Sequence, residues 1–185
     1  MSREIQLTPT SHIVLGLLST LGEATPYDLK QMVSASIGHF WSLPHSQLYA
    51  EPTRLARAGY LSERREPEGR HRKLYTLTDR GREALKDWLE APTPEPYELR
   101  DLATLKLYFG TDPRDLAEAQ LKTHRRKLAD YEALREQADG DGPQGPRLAL
   151  DHGIGHERET IRFWLEHARA VKGKPPRRPR RSTRA

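Results

Sequence analysis

Three basic side chains lie close together in the segment "REPEGRHRKLY", residues 65–75. Arg70, Arg72 and Lys73 follow a proline and a glycine, residue types that favour a tight turn. Cations grouped in this way can displace the counterions condensed on a nucleic-acid backbone. The alternative is a charged hairpin tip that contacts only solvent. The elements around the segment decide between these interpretations.

A second group of polar side chains precedes the first, within "LPHSQLYAEPTRLARAGYL" at 43–61. Amides, hydroxyls and guanidiniums on one helix face can contact base edges and phosphates in the major groove. Gln47 could pair with adenine, while Ser46 and Tyr49 could hold phosphates. Arg54 could do either. The alternative is a solvated helix face, and the helix taken alone does not exclude it.

Apolar periodicity and capping signals predict the elements that carry these side chains. In order they are a helix over 9–22 capped by Thr8, a helix starting at Thr25-Pro26, a helix from about Pro44 to Ala58, strands at about 60–65 and 72–77, and a helix from Thr78 or Asp79 to Leu89. In the fourth helix Leu85, Trp88 and Leu89 are expected to face the core. Pro52 lies inside the third helix and is expected to kink it. Three small helices that carry a hairpin describe a winged helix-turn-helix.

The second half of the chain begins after the proline-rich segment "APTPEP" at 91–96. It predicts helices at 98–110, from Asp112-Pro113 to about Ala138, and from about Arg147 to Val171, with a flexible turn at 139–146. The apolar stripes of the two long helices cannot be buried on each other alone, so pairing with a second chain is expected. The predicted fold class is mainly α. A winged helix-turn-helix at 1–91 would precede a helical, coiled-coil-like dimerisation domain at 97–171 and a disordered basic tail at 172–185.

Composition excludes several classes of protein. The 185 residues include no cysteine, so there is no disulfide framework, thiolate nucleophile or Cys-ligated zinc site. No apolar run approaches the ~20 residues of a membrane span, and the N-terminus lacks a signal-peptide core. We therefore expect a soluble, cytoplasmic protein. Removing the seven basic residues of the tail changes the net charge from +5 to −2, so any basic patch on the body must be local.

Four segments follow a known sequence pattern: "VLGLLS" at 14–19, "TPYDLKQMV" at 25–33, "FWSLPHSQLYAEPTRLARAGYL" at 40–61 and "GRHRKLYTLTDRGREALKDWL" at 69–89. In these segments the chain resembles the PadR family of bacterial transcriptional regulators. The segment "PEPYELRDLATLKLYFG" is similar to the longer branch of that family, which is related to virulence-gene activators and has a helical C-terminal domain. The resemblance implies a homodimer that binds a palindromic operator in double-stranded DNA, more often as a repressor, without catalysis.

The resemblance also suggests an effector. Some relatives hold planar drugs or phenolic compounds between aromatic residues at the dimer interface, so an effector site involving Trp41 or Trp164 is a hypothesis here. The simpler interpretation of these two side chains and of Trp88 is core or interface packing. This chain departs from the family pattern at Pro52 and in the arginine-rich tail, which would either raise non-specific DNA affinity or only add solubility.

Other motifs are weaker. His152 and His156 have the spacing of metal ligands on a helix. However, Gly153 and Gly155 are expected to weaken that helix, and no third ligand is evident, so neither metal nor cofactor is predicted. Phosphate loops, nucleophile elbows and paired carboxylates are absent from the sequence, which argues against an enzyme. The alternative function is a winged-helix protein-interaction adaptor without specific DNA binding, which the near-neutral body and Pro52 would suit.

Overall fold

The computed structural model describes residues 5–66, 71–94, 96, 98, 100–138 and 144–170. They belong to two compact units, Met1–Glu95 and Pro96–Ala185, called here the head and the helical unit. Each unit has its own hydrophobic cluster. Among the described helices, none is both long enough and apolar enough to cross a membrane. The predicted tail at 172–185 and most of the predicted turn at 139–146 lie outside the described residues.

The head combines helices with a small antiparallel sheet. Its elements are α1 (Pro9–Leu21), β1 (Glu23–Ala24), α2 (Pro26–Ala35), a 3-10 turn (Ile37–His39), α3 (His45–Arg57), β2 (Leu61–Arg65), β3 (Lys73–Leu77) and α4 (Asp79–Glu90). The strand order is β1-β3-β2, with β3 in the middle. The predicted hairpin is therefore present. Sequence analysis missed β1, because a strand of two residues has no alternation to detect.

Local capping explains where α1 and α2 begin. The Thr8 side chain accepts a hydrogen bond from the Ser11 backbone N–H, and the Ser11 side chain accepts one from the Thr8 backbone N–H. Thr25 and Asp28 form the same reciprocal pair at the start of α2. Each pair satisfies two N–H groups that the helix itself leaves unbonded, and losing such a cap typically costs about 1 kcal/mol.

The α3 helix runs through Pro52 without interruption. Pro52 lacks the N–H that would bond to the carbonyl of Leu48, and its ring is fully buried. Leu48, Leu55 and Ala58 are buried as predicted. Burial of the proline ring contributes apolar packing at the position where one helical hydrogen bond is lost.

The predicted apolar stripe of α4 is only partly correct. Leu85 is buried, but the side chains of Trp88 and Leu89 are 47% and 67% exposed. The first half of α4 lies tightly against the core, since a β-carbon on Gly81 would lie 2.1 Å from the carbonyl oxygen of Tyr60. The last turn lies at the edge of the core, where the Trp88 ring stacks on the His12 ring of α1 with centroids 4.6 Å apart.

The helical unit contains α5 (Leu102–Tyr108), α6 (Pro113–Gln137) and α7 (Gln144–Ala170). The predicted helix at 98–110 is too long, because Asp101 is extended and its carboxylate caps α5 through the N–H groups of Ala103 and Thr104. Conversely, α7 begins before the predicted Arg147. It also continues through both Gly153 and Gly155, so the expected weakening of the helix does not interrupt it.

Successive contacts show that α6 and α7 form an antiparallel hairpin. Arg135 pairs with Asp151 near the turn, and His124 pairs with Glu157 further away. Trp164 is 2% exposed and lies in the core of this unit with Ala103 and Ala117. The hairpin therefore provides the frame on which α5 packs.

Candidate nucleic-acid interface

The first half of α3 presents polar side chains to solvent. Ser46, Gln47 and Tyr49 are exposed, whereas Leu48 between them is fully buried. This alternation follows from helical geometry, since the buried face of α3 packs on the head core. The predicted recognition face is thus exposed to solvent along its first turns.

One side chain of this face is held by α1. The hydroxyl of Thr10 donates a hydrogen bond of 2.8 Å to the side-chain carbonyl oxygen of Gln47. The sequence gives no signal for Thr10, because the two residues are 37 positions apart and no local pattern connects them. The bond favours the orientation in which the Gln47 side-chain oxygen faces Thr10.

Arg54 is directed toward α1 and the segment before it. Its guanidinium donates to both carboxylate oxygens of Glu51, at 2.8 and 2.6 Å, to the Ser11 hydroxyl at 2.9 Å and to the carbonyl oxygen of Gln6 at 3.3 Å. The Ser11 hydroxyl in turn donates to Glu51 over 2.6 Å. Arg54 is thus part of an internal network, which the sequence alone did not indicate.

This network keeps Glu51 ionised although its side chain is largely buried. Burial raises the pKa of Glu51, but hydrogen bonds from Arg54 and Ser11 and the charge of Arg54 lower it more. The pKa therefore lies below its ordinary value. A buried carboxylate of this kind ties α3 to α1, because losing its cation would leave an uncompensated charge.

The hairpin of β2 and β3, called here the wing, has a defined face toward α3. Its register places Glu63 opposite Tyr75 and Arg65 opposite Lys73. Tyr75 is fully buried, and its hydroxyl lies 2.9 Å from the Thr53 hydroxyl of α3. Side chains two positions apart on a strand share a face, so Arg65 and Lys73 lie on this same side of the wing.

Two of the predicted wing cations are paired with carboxylates. Lys73 lies 3.0 Å from Glu63, and Arg72 lies 2.8 Å from Glu66. Arg70 lies outside the described residues. Arg65 is exposed and belongs to none of the ion pairs found in the described part of the chain, although its charge helps to lower the pKa of Glu63. Sequence analysis did not single out Arg65, although its place opposite Lys73 could have been counted from the hairpin.

The two tryptophans considered for an effector differ in environment. Trp41 precedes α3 and is 44% exposed, while Trp164 is buried in the helical unit. The two histidines considered as metal ligands, His152 and His156, are exposed on α7. Among the residues that the structure describes, no group of three or more His, Asp or Glu side chains is arranged to hold a metal ion.

Each of the two units matches the model of a known protein family. The model of the "Transcriptional regulator PadR-like family" matches residues 14–87, and that of "Virulence activator alpha C-term" matches residues 99–171. The negative transcriptional regulator PadR of Bacillus subtilis (strain 168) is 33% identical over 175 residues, covering 86% of this chain and 95% of the relative. The chain belongs to the PadR-like family of transcriptional regulators. As a PadR-family protein it is a DNA-binding transcriptional regulator and not an enzyme.

Solved structures of PadR proteins agree with this assignment. Bacillus subtilis PadR in complex with operator DNA matches with a TM-score of 0.78 and 29% identity, over 89% of this chain and 98% of that one. The same protein in complex with p-coumaric acid matches with a TM-score of 0.75 and 29% identity, over 91% and 100%. The predicted family is confirmed, and so is the predicted fold, a winged helix-turn-helix followed by a helical region.

Proposed function

We propose that this PadR-family regulator is a homodimeric repressor that binds a palindromic operator in the cytoplasm and responds to a small aromatic compound. The observation that carries the proposal is the joint surface of α3 and the wing. Gln47 and Tyr49 are exposed on α3, and Arg65 and Lys73 lie on the side of the wing that faces α3. A surface of hydrogen-bonding groups beside cations suits the major groove and its flanking phosphates.

Of the exposed side chains of α3, some contact bases and others contact phosphates. Gln47 contacts base edges, because only its amide can form two directed hydrogen bonds there. Ser46 and Tyr49 hold phosphates through their hydroxyls. For Arg54 we propose a positioning role, since contact with DNA would break its hydrogen bonds to the buried Glu51.

The wing cations contribute affinity for DNA but no sequence specificity. Arg65, Arg72 and Lys73, together with Arg70, would lie along the phosphate backbone. Ion pairs at exposed positions contribute only about 0–1 kcal/mol, so exchanging Glu66 for a phosphate costs little. Counterion release then favours the complex.

The apolar surface of α5 supports dimerisation. Its large side chains are 51–82% exposed, namely Leu102, Leu105, Tyr108 and the adjoining Phe109. A contiguous apolar patch of this kind is typical of a protein interface. We propose that a second copy of the chain covers it, which would give the two-fold symmetry that a palindromic operator requires.

The effector proposal rests on the relatives. One relative is named a negative transcriptional regulator, and its structure has been solved with p-coumaric acid. We therefore propose repression that a phenolic acid relieves. Trp41 is accessible for stacking on a planar ligand, whereas Trp164 could contact one only if the helical core opened.

Binding-site selection with the full chain, followed by footprinting on its own upstream region, tests the proposal. We expect two symmetric half-sites whose centres are about one helical turn apart, 10–10.5 base pairs. Addition of p-coumaric acid should weaken binding. Binding without sequence preference that disappears when the chain is truncated after Val171 would instead assign DNA affinity to the tail and favour the adaptor alternative.

The dimer is tested separately. Sedimentation should give twice the monomer mass for the wild type and a shift toward monomer for Leu105→Glu. The matched control is Lys106→Glu, which changes the neighbouring exposed residue on the same helix but removes no apolar contact. A monomeric wild type would contradict the proposed symmetry.

A further inference from the structure

The first turn of α1 contacts the proposed recognition face at Gln47. The Thr10 hydroxyl lies 2.8 Å from the Gln47 side-chain oxygen and donates its hydrogen to it. The hydroxyl of the next residue, Ser11, bonds to Glu51 one turn further along α3. Thus α1 holds α3 at two successive turns, and one of these contacts involves a side chain proposed to face DNA.

The orientation of a glutamine amide decides which bases it can recognise. The side chain offers two N–H donors on one side and one oxygen acceptor on the other. A bidentate contact with adenine uses one donor, to N7, and the acceptor, from the N6 amino group. A contact with guanine needs donors only, since N7 and O6 are both acceptors.

Thr10 occupies the acceptor side of Gln47. Within the part of the chain that the structure describes, the Gln47 NH2 group has no partner, so its donors are available to DNA. The oxygen keeps a second lone pair, but turning the amide so that this oxygen points away from Thr10, toward the N6 amino group of an adenine, would break the bond to Thr10. The arrangement therefore favours a base edge that presents acceptors.

We propose that Thr10 is a positioning residue that determines base specificity: by holding the Gln47 oxygen, it makes Gln47 a hydrogen-bond donor that selects guanine over adenine. This inference rests on the proposed function, in which α3 enters the major groove. Thr10 itself contacts no base. By holding the Gln47 oxygen, Thr10 disfavours the contact with adenine and leaves the contact with guanine.

The variant Thr10→Val tests the inference, because valine keeps the branched shape and lacks the hydroxyl. The capping pair of Thr8 and Ser11 does not involve Thr10, so α1 should still begin at the same residue. In binding-site selection we expect the preference at one position of each half-site to move from guanine toward adenine, by about tenfold in relative affinity. Thr10→Ser keeps a hydroxyl and should keep the wild-type preference.

A purely structural role for Thr10 would give a different result. Loosening α1 would weaken binding to all operators by the same factor and leave the preference at each position unchanged. The double variant Thr10→Val with Gln47→Ala separates the two roles. If Thr10 acts through Gln47, removing its hydroxyl should no longer change base preference once Gln47 is alanine.

Three results would overturn the inference. A wild-type preference for adenine, or a guanine preference that Thr10→Val retains, would show that Thr10 does not set the donor role. An unchanged preference in Gln47→Ala would show that Gln47 contacts no base, while leaving sequence-specific regulation intact. If the wild type selects no sequence at all, the proposed function fails and the inference fails with it.

Discussion

Gly153 of α7 lies directly against the ring of Tyr131 of α6. A β-carbon added at Gly153 would be 2.8 Å from Cε2 of that ring. The ring cannot move aside easily, because Tyr131 is 4% exposed. A β-carbon added at Gly155, two residues further along α7, would have no neighbouring atom within 4 Å. Of these two glycines, only the first is required by packing.

The two glycines should therefore respond oppositely to alanine. Gly155→Ala should stabilise the helical unit by about 0.5–1 kcal/mol, because alanine loses less conformational entropy in a helix. Gly153→Ala should destabilise it by about 1–3 kcal/mol through overpacking against Tyr131. Urea unfolding, combined with amide exchange in α6 and α7, measures both effects. Equal shifts of the same sign would contradict the packing argument.

Glu157→Gln should destabilise the helical unit. Glu157 is 1% exposed and lies 2.5 Å from His124 Nδ1 and 3.1 Å from Lys127 Nζ. Losing hydrogen bonds to a charged group typically costs about 1.5–3 kcal/mol. Glu159→Gln is the matched control, since that exposed residue pairs with Arg162 at the surface and should change stability by less than about 1 kcal/mol. Amide exchange in α6 and α7 reports the difference.

The same carboxylate predicts a pH dependence. Burial raises the pKa of Glu157, but hydrogen bonds from His124 and Lys127 lower it more, so it lies below the ordinary value of 4.5. A lowered folded-state pKa means that the stabilisation is present above the unfolded-state pKa and is lost as pH falls through the folded-state value. Opening of α6 and α7 should thus increase below about pH 4.5 in the wild type. Glu157→Gln should show a smaller increase over the same range.

Neutralising the wing cations should weaken binding to operators and unrelated DNA alike. For Arg65→Gln or Arg72→Ala, we expect the slope of log affinity against log salt to decrease by about one, because one phosphate contact is lost. Lys86→Gln on the exposed face of α4 is the control and should leave the slope unchanged. Fluorescence anisotropy over a series of salt concentrations gives the slopes. If Arg65→Gln leaves the salt slope unchanged, Arg65 does not contact the DNA backbone.

Gln47→Ala should reduce discrimination at one base pair per half-site. The expected loss is about 1–3 kcal/mol between the best and the wrong base, which is typical of a bidentate contact. Affinity for unrelated DNA should hardly change, since the wing cations remain. Competition binding with operators substituted one position at a time measures the loss.

Arg54→Met should destabilise the head. It leaves the largely buried carboxylate of Glu51 without its cation, and a loss of about 1–3 kcal/mol is expected. Replacing Glu51 with Gln in the same chain should recover part of that loss. Arg57→Met, one turn later and exposed, is the control. If Arg54→Met changes base preference at the operator but not unfolding, Arg54 contacts bases rather than holding Glu51.

Much of the head could be predicted because its signals are local. Thr8 and Thr25 mark helix starts through bonds that reach only three residues ahead, and alternation in β3 shows its buried side. The same locality explains the failures. Trp88 has the type and spacing of a core residue, but it is half exposed at the edge of the core and stacks on His12 of α1, which no pattern within α4 can show.

The sequence by itself determined the winged head, the long helices, the family and the polar face of α3, because caps and periodicity act over a few residues. The tertiary structure decided which partners those side chains have. Thr10 meets Gln47 across 37 positions, and His124 meets Glu157 across 33. Such contacts depend on how helices pack, and helix packing arises from the burial of apolar faces far apart in the chain. For that reason the sequence could indicate Gln47 as a candidate DNA contact, but only the fold showed that its side-chain oxygen faces Thr10.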